Sequence, residues 1–182
     1  MRKIVAGLFI SLDGVTEAPE NWQLSYINDE LVEAVGEAMA ESDTMLLGRR
    51  TYQEFAAYWP NQGSEVQFAY YMNNTPKLVV STTLDTVEWQ NSTLLKGNVA
   101  EELTRLKQQP GENISSTGST TLVRSLLRDG VLDELRLLVH PIVVGRGERL
   151  FADGEPQRPL ELVDSKTFST GVVYLTYRPQ RT

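Results

Sequence analysis

The sequence predicts an α/β protein with a mostly parallel sheet, helices on both faces and an antiparallel hairpin at the C-terminal end. Up to Gly130, apolar runs of strand length alternate with stretches of helical periodicity. After Gly130 the pattern changes to strand-like runs separated by turn residues. The length of 182 residues predicts one domain over 1–182, large enough for a single core.

Composition excludes several classes of function. Seventeen Lys and Arg against 24 Asp and Glu give a net charge of -7, which argues against nucleic-acid and anionic-membrane partners. No cysteine and one histidine predict no metal site. No apolar stretch is long enough for a membrane helix, and the N-terminal run is too short for a signal peptide, so we expect a cytoplasmic protein.

The first half of the chain divides into alternating elements. A buried strand is predicted over residues 3–10, ended by Asp13-Gly14. Apolar residues recur every four positions from Ile27 to Met39, which predicts an amphipathic helix over 25–42. A short strand follows over 43–47, Gly48 is the turn, and residues 51–59 form a helix that Pro60 ends.

The remaining elements follow the same signals. We predict helices over 65–74, 98–109 and 119–130 and strands over 77–83, 113–118, 134–145, 159–168 and 171–179, of which the last two form the hairpin. In a parallel sheet, ligands bind where strands end and helices begin, so three strand ends are of interest.

These strand ends predict a polyphosphate site. At Gly48-Arg49-Arg50-Thr51, free backbone N–H groups and the positive end of a helix dipole lie beside two guanidinium groups. Ser81-Thr82 offers hydroxyls, and residues 115–120 are small enough for a ligand to approach the backbone. Each pattern also occurs on ordinary surfaces and turns, and neither the P-loop nor the complete dinucleotide glycine motif is present.

Taken in order, the motifs SLDG, LLGRRTYQEF, VVST, ISSTGSTTLVRSLL and PIVVGRGERLF resemble the dihydrofolate reductase superfamily. The chain is most similar to stand-alone proteins like the C-terminal reductase domain of the riboflavin biosynthesis protein RibD. This resemblance runs through nearly the whole chain. It implies a three-layer α/β/α fold, NADPH as hydride donor, a small heterocyclic substrate and a homodimer.

The resemblance also implies which residues bind the cofactor. The glycine-arginine-x-threonine turn falls on Gly48, Arg49, Arg50 and Thr51, and implies contacts to the phosphates of NADPH. The remaining implied cofactor-binding residues are Ser81, Thr82, Ser116, Gly118, Ser119, Thr120 and Thr121. Dihydrofolate reductases carry two adjacent glycines in the last of these turns, whereas this chain has only Gly118.

Two carboxylates are catalytic candidates. Dihydrofolate reductases place a buried carboxylate on the first helix, and Glu30 is the candidate here, with a solvated side chain as the alternative. Asp13 lies in the segment that resembles the loop beside the nicotinamide, with holding the turn as its alternative role. Trp22 could stack on a flat heterocycle or seal the core edge. His140, in a buried pattern, is interpreted as structural.

The substrate stays open at this point. Riboflavin-type enzymes are expected to hold a ribose phosphate with arginines near the first helix, but residues 23–48 contain no Arg or Lys. A dihydrofolate-type reductase and a noncatalytic NADPH-binding protein are the alternatives.

Overall fold

The computed structural model describes residues 1–180, and within them eight strands form one sheet. The order across the sheet is β4-β3-β2-β5-β1-β6-β8-β7. Every neighbouring pair is parallel except those that involve β8, which runs antiparallel to β6 and β7. The strands are β1 (Ile4–Ser11), β2 (Ser42–Gly48), β3 (Lys77–Val80), β4 (Ser92–Leu95), β5 (Asn113–Thr117), β6 (Glu134–His140), β7 (Leu160–Thr167) and β8 (Val173–Pro179).

Helices cover both faces of this sheet, which confirms the predicted α/β architecture. Three pack on the side of Leu47 and Leu138, called face A: α1 (Asp29–Ala40), α2 (Arg49–Tyr58) and α3 (Ala69–Asn74). The other two, α4 (Val99–Lys107) and α5 (Thr120–Arg128), pack on the side of Ile4 and Leu135, called face B. The face B cluster is the largest part of the core, because α4 and α5 bury apolar stripes against the even-numbered residues of β1.

The C-terminal hairpin is confirmed as the antiparallel edge. Phe168 and Gly171 close its turn, with Gly171 N–H donating to the Phe168 carbonyl at 2.9 Å. Gly171 has a φ of +85°, which glycine adopts without steric cost. β7 is the edge strand, and Leu162 and Val163 on it are 51% and 44% exposed.

Several element boundaries differ from the sequence expectation. The first helix begins at Asp29 and not at Ser25, because Asn28 caps it by accepting from the Leu31 N–H, and Ile27 is exposed. The helix predicted over 65–74 is restricted to α3, since Phe68 has a φ of +67°. The strands predicted to reach 83 and 145 end at Val80 and His140. The short β4 was not predicted.

Within residues 1–180, no helix is both long and apolar enough to span a bilayer, and no group of three or more potential metal-ligating side chains is present.

Candidate active site

Two helix N-termini lie side by side at the carboxyl ends of β2 and β5. These strands are neighbours in the sheet, and each leads through a glycine into a helix, α2 or α5. The Ser119 hydroxyl accepts from the Gly48 N–H at 2.9 Å, and the Ser119 N–H donates to Thr51 Oγ1 at 2.9 Å. Because each helix start supplies a partner to the other, we call these two hydrogen bonds the Ser119 lock.

The lock requires a close approach of the two chains. A Cβ on Gly48 would lie 3.2 Å from Ser119 Oγ, and one on Gly118 would lie 3.2 Å from the Thr51 side chain. Gly118 has a φ of +67°, and Ser119 follows it with a φ of 51°. Ser119 therefore adopts a conformation typical of glycine, and its hydroxyl bond to Gly48 offsets part of that strain.

Neither helix start in the lock has a side-chain cap. By contrast, α1 and α4 are capped by Asn28 and Asn98, whose side chains accept from the Leu31 and Glu101 N–H groups. The first-turn N–H groups of α2 and α5 thus stay available beside each other, at the positive ends of two helix dipoles. Such a pair of helix starts suits a dianionic group such as a pyrophosphate.

The two arginines behave differently. Arg50 donates to Glu17 Oε1 at 3.0 Å and to Glu54 Oε1 at 3.2 Å. A backbone N–H from Glu148 and the Arg50 guanidinium hold the pKa of Glu17 below its usual value. Arg49 is exposed and, among residues 1–180, makes no hydrogen bond or ion pair with its side chain. Arg49 is thus the free cation of the predicted pair.

Four further residues predicted to bind the cofactor are Ser81, Thr82, Thr120 and Thr121. The Ser81 hydroxyl accepts from the Thr83 and Leu84 N–H groups, so it holds the turn after β3, while Thr82 is exposed. Thr120 Oγ1 lies 2.7 Å from Thr16 Oγ1, and Thr121 lies on the outside of α5.

The Ser116 side chain is buried on face B. It is only 1% exposed and its hydroxyl is buried without a hydrogen-bond partner in the described chain. The register with β1 pairs Ser116 with Ala6, which belongs to face B. The alternation of strand side chains therefore turns the Ser116 hydroxyl into face B, so the cofactor contact stays a prediction that only its backbone could meet.

Asp13 holds two loops together. Its carboxylate accepts from the Ser11 hydroxyl at 2.6 Å and from the N–H groups of Val144 and Gly145 at 3.0 and 2.8 Å. Arg149 Nη2 lies 3.6 Å from Asp13 Oδ2. The hydrogen bonds, with that from Ser11 the strongest, hold the pKa of Asp13 well below its usual value. This geometry favours the turn-holding alternative over a proton-transfer role.

The Asp13 contacts predict a pH-dependent stability. Since its folded-state pKa is depressed, the stabilisation is present above the unfolded pKa of about 3.9 and is lost as pH falls below that value. We expect Asp13→Asn to be less stable than the wild type in urea unfolding at pH 7, with the difference shrinking toward pH 3. A difference that does not change with pH would contradict this role.

The Glu30 side chain, on α1, contacts the hairpin turn. Its Oε2 accepts from the Ser169 N–H at 2.7 Å, from the Ser169 hydroxyl at 2.5 Å and from the Asn28 amide at 3.0 Å. The Ser169 bonds, the hydroxyl first, lower the pKa of Glu30. The carboxylate therefore ties the start of α1 to the hairpin and is ionised at neutral pH, which is unfavourable for a proton donor.

His140 is buried at the end of β6, as its sequence pattern predicts. It is 0% exposed, its Nδ1–H donates to the Leu138 carbonyl at 2.8 Å, and burial lowers its pKa. Phe9, Trp22 and Tyr26 meet its ring edge-on, with centroids 5.8, 5.2 and 5.5 Å away. We call these four side chains the aromatic cluster. Trp22 thus packs against the core edge.

Gly7 was missed by sequence reasoning. It lies on face A in the middle of the sheet, between Thr117 of β5 and Arg136 of β6. A Cβ added at Gly7 would meet no atom within 4 Å, so there is open space above the central strand. The sequence signal was a glycine inside a buried strand, which often marks close approach of a ligand.

A groove of about 740 Å³ lies on the outer side of α2, between that helix and residues 84–90, with Tyr52 and Trp89 in its wall. None of the predicted site residues lines it.

The model of the RibD C-terminal domain matches residues 2–174. The chain belongs to the RibD C-terminal domain family. This RibD C-terminal domain protein is 30% identical over 179 residues to the uncharacterized protein YyaP of Bacillus subtilis (strain 168), covering 97% of this chain and 94% of YyaP. The family membership confirms the resemblance predicted from the motifs.

Solved structures show the same fold. A putative riboflavin biosynthesis protein from Shewanella sp. PV-4 has a TM-score of 0.76 at 19% identity, covering 98% of this RibD C-terminal domain protein and 99% of that chain. Dihydrofolate reductase from Enterococcus faecalis, solved with NADP(H) and RAB-propyl, has a TM-score of 0.66 at 14% identity, with coverages of 98% and 97%. The dihydrofolate reductase-like fold is thereby confirmed.

Proposed function

We propose that this protein is an NADPH-dependent reductase that transfers hydride to a small heterocyclic or carbonyl substrate. One observation carries the proposal: two uncapped helix starts are held together by the Ser119 lock, and the free cation Arg49 lies at the first turn of one of them. The RibD C-terminal family and the fold shared with an NADP(H)-bound dihydrofolate reductase support it.

The residues at this edge fit a pyrophosphate and an additional phosphate. The first-turn amides of α2 and α5 would hold the pyrophosphate, and Gly118 lets Thr51 of α2 pack close to the start of α5. Arg49 would hold a phosphate oxygen through charge-assisted hydrogen bonds. When bound, NADPH supplies the hydride, while the loop held by Asp13 would cover the reacting end.

The source of the proton is part of the proposal. Glu30 could donate a proton only if its bonds to Ser169 broke and its pKa rose. Water is the other donor, and the hydroxyl of Thr117, which lies beside Gly7 on face A, could hold it. The second candidate is a protein that binds the cofactor without turnover. The bonding of the ionised Glu30 carboxylate to Ser169 favours this candidate.

The proposal also includes that the protein is a cytoplasmic homodimer. The apolar residues Leu162 and Val163 on the edge strand β7 support it, because an exposed edge of this kind readily pairs with a second chain.

Calorimetric titration with NADPH and NADH tests the proposal, and we expect NADPH to bind at least about tenfold more tightly. Loss of NADPH absorbance with a panel of pteridine and pyrimidine carbonyl compounds then separates the two candidates. Tight binding without oxidation by any compound would favour the noncatalytic protein. Absence of NADPH binding up to millimolar concentration would overturn both.

A further inference from the structure

The apolar clusters of face A leave its centre uncovered. One cluster joins α1 to β6 and the hairpin through Leu31 and Leu138, and a second joins α2 and α3 to β2 and β3 through Tyr52 and Leu47. Between them lie β5 and β1, whose face A residues include Gly7 and Thr117. A Cβ on Gly7 would meet no atom of the described residues within 4 Å, and we call this open space above the middle of the sheet the cleft.

The floor and one end of this cleft are suited to a flat ring. Gly7 presents bare backbone with nothing within 4 Å of its Cβ position. Phe9, two residues further along the same face, is about 7 Å away and begins the aromatic cluster. A planar heterocycle can therefore lie on Gly7 with its edge against aromatic rings, an arrangement that favours offset or edge-to-face contact.

Two hydroxyl side chains lie near this floor. Thr117, the β5 neighbour of Gly7, is half-buried, and its hydroxyl makes no hydrogen bond to any residue in 1–180. Ser115, also on face A, makes a long 3.5 Å contact to the Thr44 carbonyl and a side-chain hydrogen bond with Tyr71. Hydroxyls can serve the ring nitrogens and carbonyls of a heterocycle as donors or acceptors.

The charged groups bordering the cleft disfavour an anionic substrate. Arg136, the β6 neighbour of Gly7, lies 2.8 Å from Glu41 and 2.9 Å from Glu134. Burial by itself would lower the pKa of Arg136, but the hydrogen bonds to Glu134 and Glu41 keep it above its usual value. The α1 helix beside the cleft has no basic residue and carries Asp29, Glu30, Glu33 and Glu37.

Lys166 and Arg149 are engaged or distant, and the exposed Arg146, without a side-chain partner within residues 1–180, lies in the loop bound to Asp13, beyond the end of β1. Lys166 lies on β7, three strands from β1, with its Nζ 5.6 Å from the Phe168 ring. Arg149 lies 3.6 Å from Asp13 and donates to its carbonyl. On the described residues of β1, β5, β6 and α1, which border Gly7, no unpaired cation is present, and a substrate phosphate at this place would need one.

We propose that the cleft above Gly7 binds an uncharged planar heterocycle that carries no phosphate group. The inference rests on the proposed NADPH-dependent function and narrows its substrate class. The proposed substrate class differs from that of a phosphoribosyl aminouracil reductase. The phosphate of such a substrate would bring a dianion beside the acidic α1 helix. The ring is held by the Gly7 backbone surface, the Thr117 hydroxyl and the aromatic cluster.

The first test compares two ligands on the NADP⁺-saturated protein by calorimetry. Lumazine is the uncharged pteridine, and an aminouracil bearing ribose 5-phosphate is the anionic probe. We expect lumazine to bind at least about tenfold more tightly. Tighter or equal binding of the phosphorylated compound, or no binding of lumazine, overturns the inference. Failure of the protein to bind NADP⁺ at the saturation step instead overturns the proposed function.

The second test fills the space above Gly7. Gly7→Val places two methyl groups in the cleft where no protein atom stands, so lumazine affinity should fall by at least about tenfold. Binding of 2′,5′-ADP, which probes only the phosphate end of the cofactor, should be unchanged. Gly36→Ala, on α1, is the control substitution. Its new methyl group would lie 3.8 Å from the Phe68 ring, which is an ordinary van der Waals contact. Unchanged lumazine binding by a folded Gly7→Val overturns the inference.

Thr117→Val gives an independent reading if Gly7→Val fails to fold. Loss of one hydroxyl should weaken lumazine by roughly three- to tenfold and leave 2′,5′-ADP binding unchanged. Wild-type lumazine affinity in this variant contradicts the assigned contact.

Discussion

Replacing Arg49 by alanine is expected to weaken NADPH binding by roughly 10- to 100-fold. Arg49 is the unpaired guanidinium at the first turn of α2, and a charge-assisted bond to phosphate contributes about 1.5–3 kcal/mol, with tenfold in affinity for each 1.4 kcal/mol. Arg50→Ala should have a smaller effect, because Glu17 and Glu54 already share its guanidinium. Fluorescence titration with NADPH and NADH measures both variants.

Arg128→Ala is the matched control for this measurement. Arg128 is an exposed arginine in the last turn of α5, at the end of that helix opposite to the Ser119 lock. Its removal takes away one positive charge, as Arg49→Ala does, but should leave NADPH affinity within about twofold, because the ionic atmosphere screens charges at such separations. If Arg49→Ala binds NADPH and NADH as the wild type does, the assignment of Arg49 to a phosphate is wrong.

Asp133→Ala is expected to destabilise the fold by about 3–5 kcal/mol. Lys107 and Asp133 form an ion pair with a closest distance of 2.6 Å, and their side chains are only 8% and 14% exposed. Asp133 also accepts from the Ile4 N–H at 2.8 Å, at the first residue of β1. Removal of this carboxylate would leave the Lys107 ammonium buried with only the Val131 carbonyl, at 3.3 Å, among the contacts described here.

Urea unfolding at neutral pH measures this loss, and Asp129→Ala is its control. Asp129 pairs with Arg128 on the surface, where the two side chains are 37% and 63% exposed. An exposed pair contributes about 0–1 kcal/mol, so the same substitution four residues earlier in the chain should change stability little. Equal effects of the two variants would show that burial of the Lys107 pair does not govern its contribution.

The sequence predicted the fold class because periodicity and turn residues report which face of each element is buried. It could not predict β4, since four residues with mixed burial carry little periodic signal. It placed the start of α1 too early because Ile27 matched the apolar spacing, although the cap at Asn28 was also visible in the sequence.

The candidate site was predictable in residue type but not in contacts. The Gly48-Arg49-Arg50-Thr51 turn pointed to an anion site, but nothing local shows that Arg50 pairs with Glu17, which is 33 residues away. Ser116 was grouped with the turn because it is small and polar, whereas the strand alternation buries it on face B. Gly7 was overlooked although a glycine inside a buried strand is a signal, because the sequence does not show that the space above it is empty.

The Ser119 lock has a consequence for the energetics of binding. Since each of its two hydrogen bonds joins a backbone N–H of one helix start to a side chain of the other, the starts of α2 and α5 cannot separate without leaving both N–H groups unpaired. The first-turn amides of α2 and α5 are thus held close to each other before an anion binds. A ligand that bridges them spends little conformational entropy on bringing them together, so this edge is preorganised.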